Sequence, residues 1–224
     1  MKTTKSKLLA VLALALSLAG ATQGQTNSYS INVNAPIIDG NPVGQTSVTN
    51  LSGLSGSISN VEVTLDITGG FNGDLYAYLV SPSGQMLVLL NRVGVGTGNA
   101  IGYSDAGFNI ILSDSGAHNI HNYQNYGIPT GQLTGTWAAD GRAILPNSAP
   151  SAFDASPTTD FSLFNNANPN GVWTLFIADL GGGSQSTLVS WGLTIVTVPE
   201  PQTWLLGLSG GAALLFAINR RRKV

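Results

Sequence analysis

The chain has 224 residues, 28 of them glycine and none cysteine, so no disulfide, thiolate metal site or cysteine nucleophile exists in it. The formal charge of −2 hides a segregation: three lysines precede residue 8 and four cations close the chain, leaving Arg92 and Arg142 against ten acids between residues 22 and 198. That stretch carries −8, which argues against nucleic acid as a partner, since such binding rests on Lys and Arg neutralising phosphates, and makes cations the fitting small ligands.

The first element is a basic lead with Lys2, Lys5 and Lys7, an apolar run from Leu8 to Leu18, and Ala19-Gly20-Ala21 as a small-residue cleavage site. Together these read as a secretory signal helix over 1–21, with processing after Ala21 by the secretion machinery. Residues 22–35 are expected to form a linker. One domain over 36–197 follows, long enough for a self-sufficient core.

Inside that domain no 3.6-residue periodicity persists, whereas short period-2 runs recur between turn-rich stretches. In Val61 to Ile67, the residues Val61, Val63, Leu65 and Ile67 share one face and polar side chains take the other. Asp74 to Val80 and Gln85 to Leu90 flank Ser81-Pro82-Ser83-Gly84, a type I turn pattern, and predict a hairpin. Residues 91–170 are rich in Gly, Asn and Pro and predict long loops with short strands, carrying the specific surface. Gly171 to Asp179 and Thr187 to Val196 are expected to pair across Gly181 to Ser184, with Trp173 and Trp191 as core residues. The pattern predicts an all-β, two-sheet sandwich.

The last element is Thr203 to Ile218, sixteen uncharged and mostly apolar residues followed by Asn219 and then Arg220, Arg221, Arg222 and Lys223. A helix there reaches roughly 24 Å, short of a hydrocarbon core of about 30 Å but able to span it with the basic tail on the cytoplasmic side.

Two family resemblances rest on these residues. Asn72-Gly73-Asp74-Leu75, Leu79-Val80-Ser81-Pro82-Ser83-Gly84 and Leu89-Leu90-Asn91-Arg92, then Asn170-Gly171-Val172-Trp173-Thr174-Leu175 with Asp179, and Thr187 to Thr194, resemble the P domain (P/Homo B) of subtilisin-like proprotein convertases. This resemblance, from about Pro36 to Val196, implies a β jelly roll. The protease domain that precedes it in convertases has no counterpart in this chain. At the other end, Pro199-Glu200-Pro201, the apolar helix and the basic tail resemble the PEP-CTERM sorting signal over 198–224. That resemblance implies recognition by an exosortase-like enzyme, a transient stay in the inner membrane, an exopolysaccharide-producing Gram-negative setting, and a final place at the cell surface or outside.

Candidate chemistry is sparse. A Ser/His/Asp site needs a histidine, and His118 and His121 lie in a stretch that reads as a solvated polar loop. Their spacing suits zinc only if a further ligand converges. Glu62 is the one glutamate of the domain and reads as a wet-face strand residue, so a glycosidase-type carboxylate pair has little to build on. Calcium fits better, since hard cations take several carboxylate and carbonyl oxygens. Asp74, Asp114 and Asp179 fall at expected strand ends and match acidic positions of the P-domain blocks; the other reading is that they cap turns. Tyr123 and Tyr126 are expected either to stack on sugar rings or anchor a surface protein, or to cover the end of the sandwich.

Three functions follow in order: a non-enzymatic structural or adhesive surface protein, an accessory module for a separately encoded subtilisin-like protease, and a hydrolase with an unrecognised carboxylate site.

Overall fold

The computed structural model describes residues 24–198. The signal segment, Pro199-Glu200-Pro201, the C-terminal apolar run and the basic tail lie outside those residues. No helix among the described residues is long and apolar enough to cross a membrane.

Nine strands form two sheets. They are β1 (Gln25–Ile37), β2 (Asn41–Leu51), β3 (Ser57–Gly69), β4 (Leu75–Val80), β5 (Met86–Asn91), β6 (Phe108–Leu112), β7 (Leu133–Trp137), β8 (Gly171–Asp179) and β9 (Ser186–Val198). The five-stranded sheet runs β1-β9-β3-β6-β7, and the four-stranded sheet runs β2-β8-β4-β5. Neither closes into a barrel. All pairings are antiparallel except β6 with β7, where Phe108 to Leu112 run parallel to Leu133 to Trp137. Parallel neighbours need a long crossover, which residues 113–132 supply.

The core is the set of inward side chains of both sheets. Val61, Val63, Leu65 and Ile67 are all buried on β3, as their alternation requires, and Trp173, Leu175 and Ile177 face them from β8. Both buried tryptophans satisfy their indole N–H groups: Trp173 Nε1 donates to the Pro169 carbonyl at 2.9 Å, and Trp191 Nε1 to Ser47 Oγ at 2.8 Å. The second bond ties β9 in one sheet to β2 in the other. The expected hairpin is formed by β4 and β5, closed by Gly84 N donating to the Ser81 carbonyl, with Gly84 at φ +82° where a side chain is disfavoured. Strand β5 is buried on both faces from Leu87 on, and the segment after β7 covers its outer edge, with Asp140 N and Gly141 N donating to the Leu89 and Val88 carbonyls.

Two expectations are corrected. The supposed linker over 22–35 is mostly β1, the edge strand of the larger sheet. Tyr29, Ile31 and Val33 alternate with Ser28, Ser30 and Asn32 and lie half-buried against the core, a period-2 pattern thin in large side chains and hence easily read as polar linker. The last two strands do not pair with one another. β8 lies between β2 and β4, whereas β9 lies between β1 and β3, so residues 180–185 carry the chain from one sheet to the other. Adjacent apolar strands with a glycine-rich link read alike whether the link makes a hairpin or bridges two layers.

Candidate functional site

Three loops meet at the end of the sandwich where β3 finishes and β4 begins. In the four-stranded sheet the last residue of β8, Asp179, stands between Asn41 of β2 and Leu75 of β4. This register places Asp39 and Asp74, which lie just outside β2 and β4, beside it. Backbone bonds fix the loops: Gly40 N donates to the Gly181 carbonyl, Leu180 N to the Asp74 carbonyl, and Gly183 N to Asp39 Oδ2 at 3.0 Å. Gly181 leaves room for the Asp74 carboxyl group, which a Cβ at that position would displace.

Asp179 is fully buried, and neither carboxylate oxygen has a hydrogen-bond partner among the described residues. Burial, then the fields of Asp74 and Asp39, push its carboxyl up to about 6, offset in part by the nearby Gly181 and Gly40 amides. Asp74 is also raised, first by burial and then by Asp39, against the lowering field of Arg92. An ionised carboxylate left dry and unpaired costs several kcal/mol unless a cation or donor reaches it. Such a carboxylate, beside two further acids, offers oxygen donors of the kind that hard cations take. Among the described residues no group of three or more His, Cys, Asp or Glu is already drawn together as a ligand shell.

Of the three expected calcium residues, the structure brings Asp74 and Asp179 together and leaves Asp114 out. Asp114 follows β6, which runs antiparallel to β3 and therefore away from Asp179, and its Oδ1 accepts from Phe161 N at 2.9 Å. It fixes the 3-10 turn Phe161–Phe164, whose two phenylalanines enter the core. Asp39 joins the acidic end instead. Its sequence signal was Asp39-Gly40, a turn ahead of a strand, which by itself gives no direction for the carboxylate.

The second polar concentration is buried beneath the loops of residues 94–99, 119–123 and 138–155. His121 is no solvated loop residue: it is 2 % exposed, with Nδ1 at 2.7 Å from Asp140 Oδ2 and Nε2 at 2.8 Å from the Val95 carbonyl. Both ring nitrogens are therefore engaged by oxygens of other loops. Asp140 Oδ1 takes Arg142 Nη1 at 3.1 Å, and that nitrogen also reaches Asn119 Oδ1 at 3.1 Å, while Arg142 Nε donates to the Ala155 carbonyl. Phe153 stacks on the imidazole. The network pins three loops that have no sheet of their own. Over it opens a cavity of about 400 Å³ lined by Gly94 to Asn99, Tyr103, Asn122, Arg142 and Asp154.

Among the described residues neither imidazole is hydrogen-bonded to a hydroxyl, and both ring nitrogens of His121 are engaged elsewhere. His118 stacks on Tyr126 with ring centroids 3.5 Å apart. The two tyrosines part company. Tyr123 is fully buried, its hydroxyl bonded to Asp105 Oδ2 at 2.7 Å and to Asn72 Nδ2 at 3.2 Å, and burial raises its phenol far above the usual range. It covers the end of the core and cannot meet a ligand. Tyr126 is 55 % exposed, with His118 stacked on one face of its ring.

A family model described as "Proprotein convertase P-domain" matches residues 58–118, the span from β3 to just beyond β6. No curated protein matches the chain. Two solved structures similar to it are of the serine protease of Aeromonas sobria, one in complex with its chaperone ORF2 and one of the protease itself. Identity is 16 % in both, with TM-scores of 0.45 and 0.44. The alignments cover 84 % and 81 % of this chain and 29 % of each of those chains, so this chain spans less than a third of their length. The P domain is a non-catalytic module, and no catalytic domain is evident among the described residues.

Proposed function

We propose that the chain is an exported, non-enzymatic surface or matrix protein, structural or adhesive in role, built on a calcium-stabilised P-domain-type jelly roll. The observation that carries the calcium assignment is the buried, unpartnered carboxylate of Asp179 beside Asp74 and Asp39. Calcium there supplies the positive charge that Asp179 and its acidic neighbours lack, drawing the Asp74 and Asp39 carboxylates in to hold it with Asp179, loop carbonyls and water. Bound only by the folded chain, it stabilises the acidic end and locks the loops of 38–40, 71–74 and 180–183 to one another. The jelly-roll assignment is supported by successive strands that alternate between the sheets, β1 to β2 to β3 and β8 to β9, with the parallel β6–β7 pair as a local departure.

Export and sorting rest on the sequence: the basic lead and apolar run over 1–21, and Pro199-Glu200-Pro201 with its apolar run and Arg220 to Lys223. In this reading an exosortase-like enzyme releases the chain from the inner membrane to the cell surface, where exopolysaccharide or a surface protein is its partner.

Surface labelling of cells making an epitope-tagged chain tests it. Labelled, shortened chain is expected at the surface or in the medium. Replacing Pro199, Glu200 and Pro201 with alanine should hold the full-length chain in the inner membrane, and tag found only in the cytoplasm would overturn the proposal. The P-domain match favours a second reading, an accessory module for a separately encoded subtilisin-like protease. Recovery of such a protease at one-to-one stoichiometry with the exported chain would favour that reading.

A further inference from the structure

The two sheets end in strands with a single neighbour. Among the described residues β1 pairs only with β9 and β2 only with β8, and the turn of 38–40 joins these two edge strands. The other edges are short or closed. β7 has five residues, and β5 is covered by the amides of Asp140 and Gly141. By contrast β1 has 13 residues and β2 has 11.

Exposed edges invite another strand, and soluble proteins commonly blunt them with Lys, Pro, bulges or inward charges. Here neither edge strand contains a Lys, Arg, Asp or Glu. The blunting devices sit at one end of each. β1 is irregular between Asn32 and Ala35, with Asn34 at φ +49°, and β2 between Asn41 and Gln45. Among the described residues Gln25 to Asn32 is left as a regular, uncharged ladder with one side unpaired.

Two further observations single out β1. Its inward residues Tyr29, Ile31 and Val33 pack on the core yet stay partly exposed, with no strand among the described residues continuing the layer beyond them. Those of β2 are Gln45, Ser47 and Thr49, which need no cover. Moreover, the stretch of 22–198 carries −8, so two copies repel except across a neutral seam. β1 is such a seam, and its outward Ser28, Ser30 and Asn32 are small and hydrogen-bonding.

We propose that β1 pairs with β1 of a second copy of this chain about a two-fold axis, the antiparallel Gln25 to Asn32 segments joining two five-stranded sheets into one of ten. Any strand can meet its own copy antiparallel, and the operation closes on itself, giving a dimer rather than a fibre. An eight-residue seam is at the small end of interfaces, so association is weak in dilute solution and grows where chains are crowded on a surface. The proposal does not depend on calcium or on sorting.

Sedimentation equilibrium of the purified full chain in detergent, up to about 0.5 mM, reads the association directly. The wild type is expected to form dimers. The double substitution Ser28→Lys with Ser30→Lys, at exposed positions that do not enter the core, puts like charges across the seam and is expected to weaken dimerisation roughly tenfold or more. Thr46→Lys with Asn50→Lys makes the same charge change on the outward face of β2 and is expected to leave the dimer intact. Amide exchange adds a readout by position: protection of Thr26 to Asn32 should rise with concentration. A monomer throughout, equal effects of the two pairs of substitutions, or association untouched by the β1 lysines would each overturn the proposal.

Discussion

Replacing Asp179 with asparagine changes stability with a sign that depends on calcium. Burial and two neighbouring acids raise the carboxyl from 3.8 to about 6, so holding it ionised at pH 7.5 without a cation costs about 3 kcal/mol. The asparagine side chain has nearly the same shape and no charge, yet its amide remains buried without a partner and gives back about 1–3 kcal/mol of that relief. The net gain in chelator is about 1 kcal/mol, a rise in Tm of about 2–4 °C for a domain of this size. With calcium at about a hundred times its Kd the wild type gains about 2.7 kcal/mol and the variant gains little, so their order inverts. Differential scanning calorimetry of both proteins in EDTA and in calcium measures all four melting temperatures. A variant less stable than wild type in EDTA, or one that keeps the wild-type calcium shift, would refute the reasoning.

Other expectations follow from the same geometry. In chelator the wild type should gain stability as pH falls from about 7.5 to about 5: a raised carboxyl binds its proton in the folded state before the unfolded one does, so its contribution is lost again as pH climbs through about 6. Thermal melts across that window check it, and the Asp179→Asn variant should show a smaller slope. Asp114→Asn should leave the calcium shift unchanged, since that carboxylate serves Phe161 N at another place in the fold; loss of the shift would contradict the assignment. Asp140→Ala leaves His121 and Arg142 buried without their shared partner and should cost about 3–5 kcal/mol in urea unfolding, far more than removing a surface acid.

The sequence pattern shows the fold where side chains alternate strongly. Val61 to Ile67 and the Ser81 to Gly84 turn place β3, β4 and β5, and Trp173 and Trp191 enter the core as their strand phase requires. It fails where polar residues outnumber apolar ones, as in β1, and where adjacency in sequence suggests pairing that the layered topology denies, as with β8 and β9. The acidic end was half legible. Asp74 and Asp179 stand at strand termini, but only the register that sets Asn41 and Leu75 on either side of Asp179 brings in Asp39 and sends Asp114 elsewhere. The His121 network was hidden because its members are separated by some twenty residues of irregular chain, and burial of a polar loop leaves no periodic mark. Tyr123 and Tyr126 illustrate the same limit: three residues apart in one 3-10 segment, one is sealed and the other open.

Isothermal titration calorimetry of the purified, chelator-treated chain with calcium tests the central claim most directly. Saturable binding of one ion per chain is expected, abolished by Asp179→Asn and retained in Asp114→Asn. Absence of calcium binding by the wild type, or binding that survives loss of the Asp179 carboxylate, would contradict it.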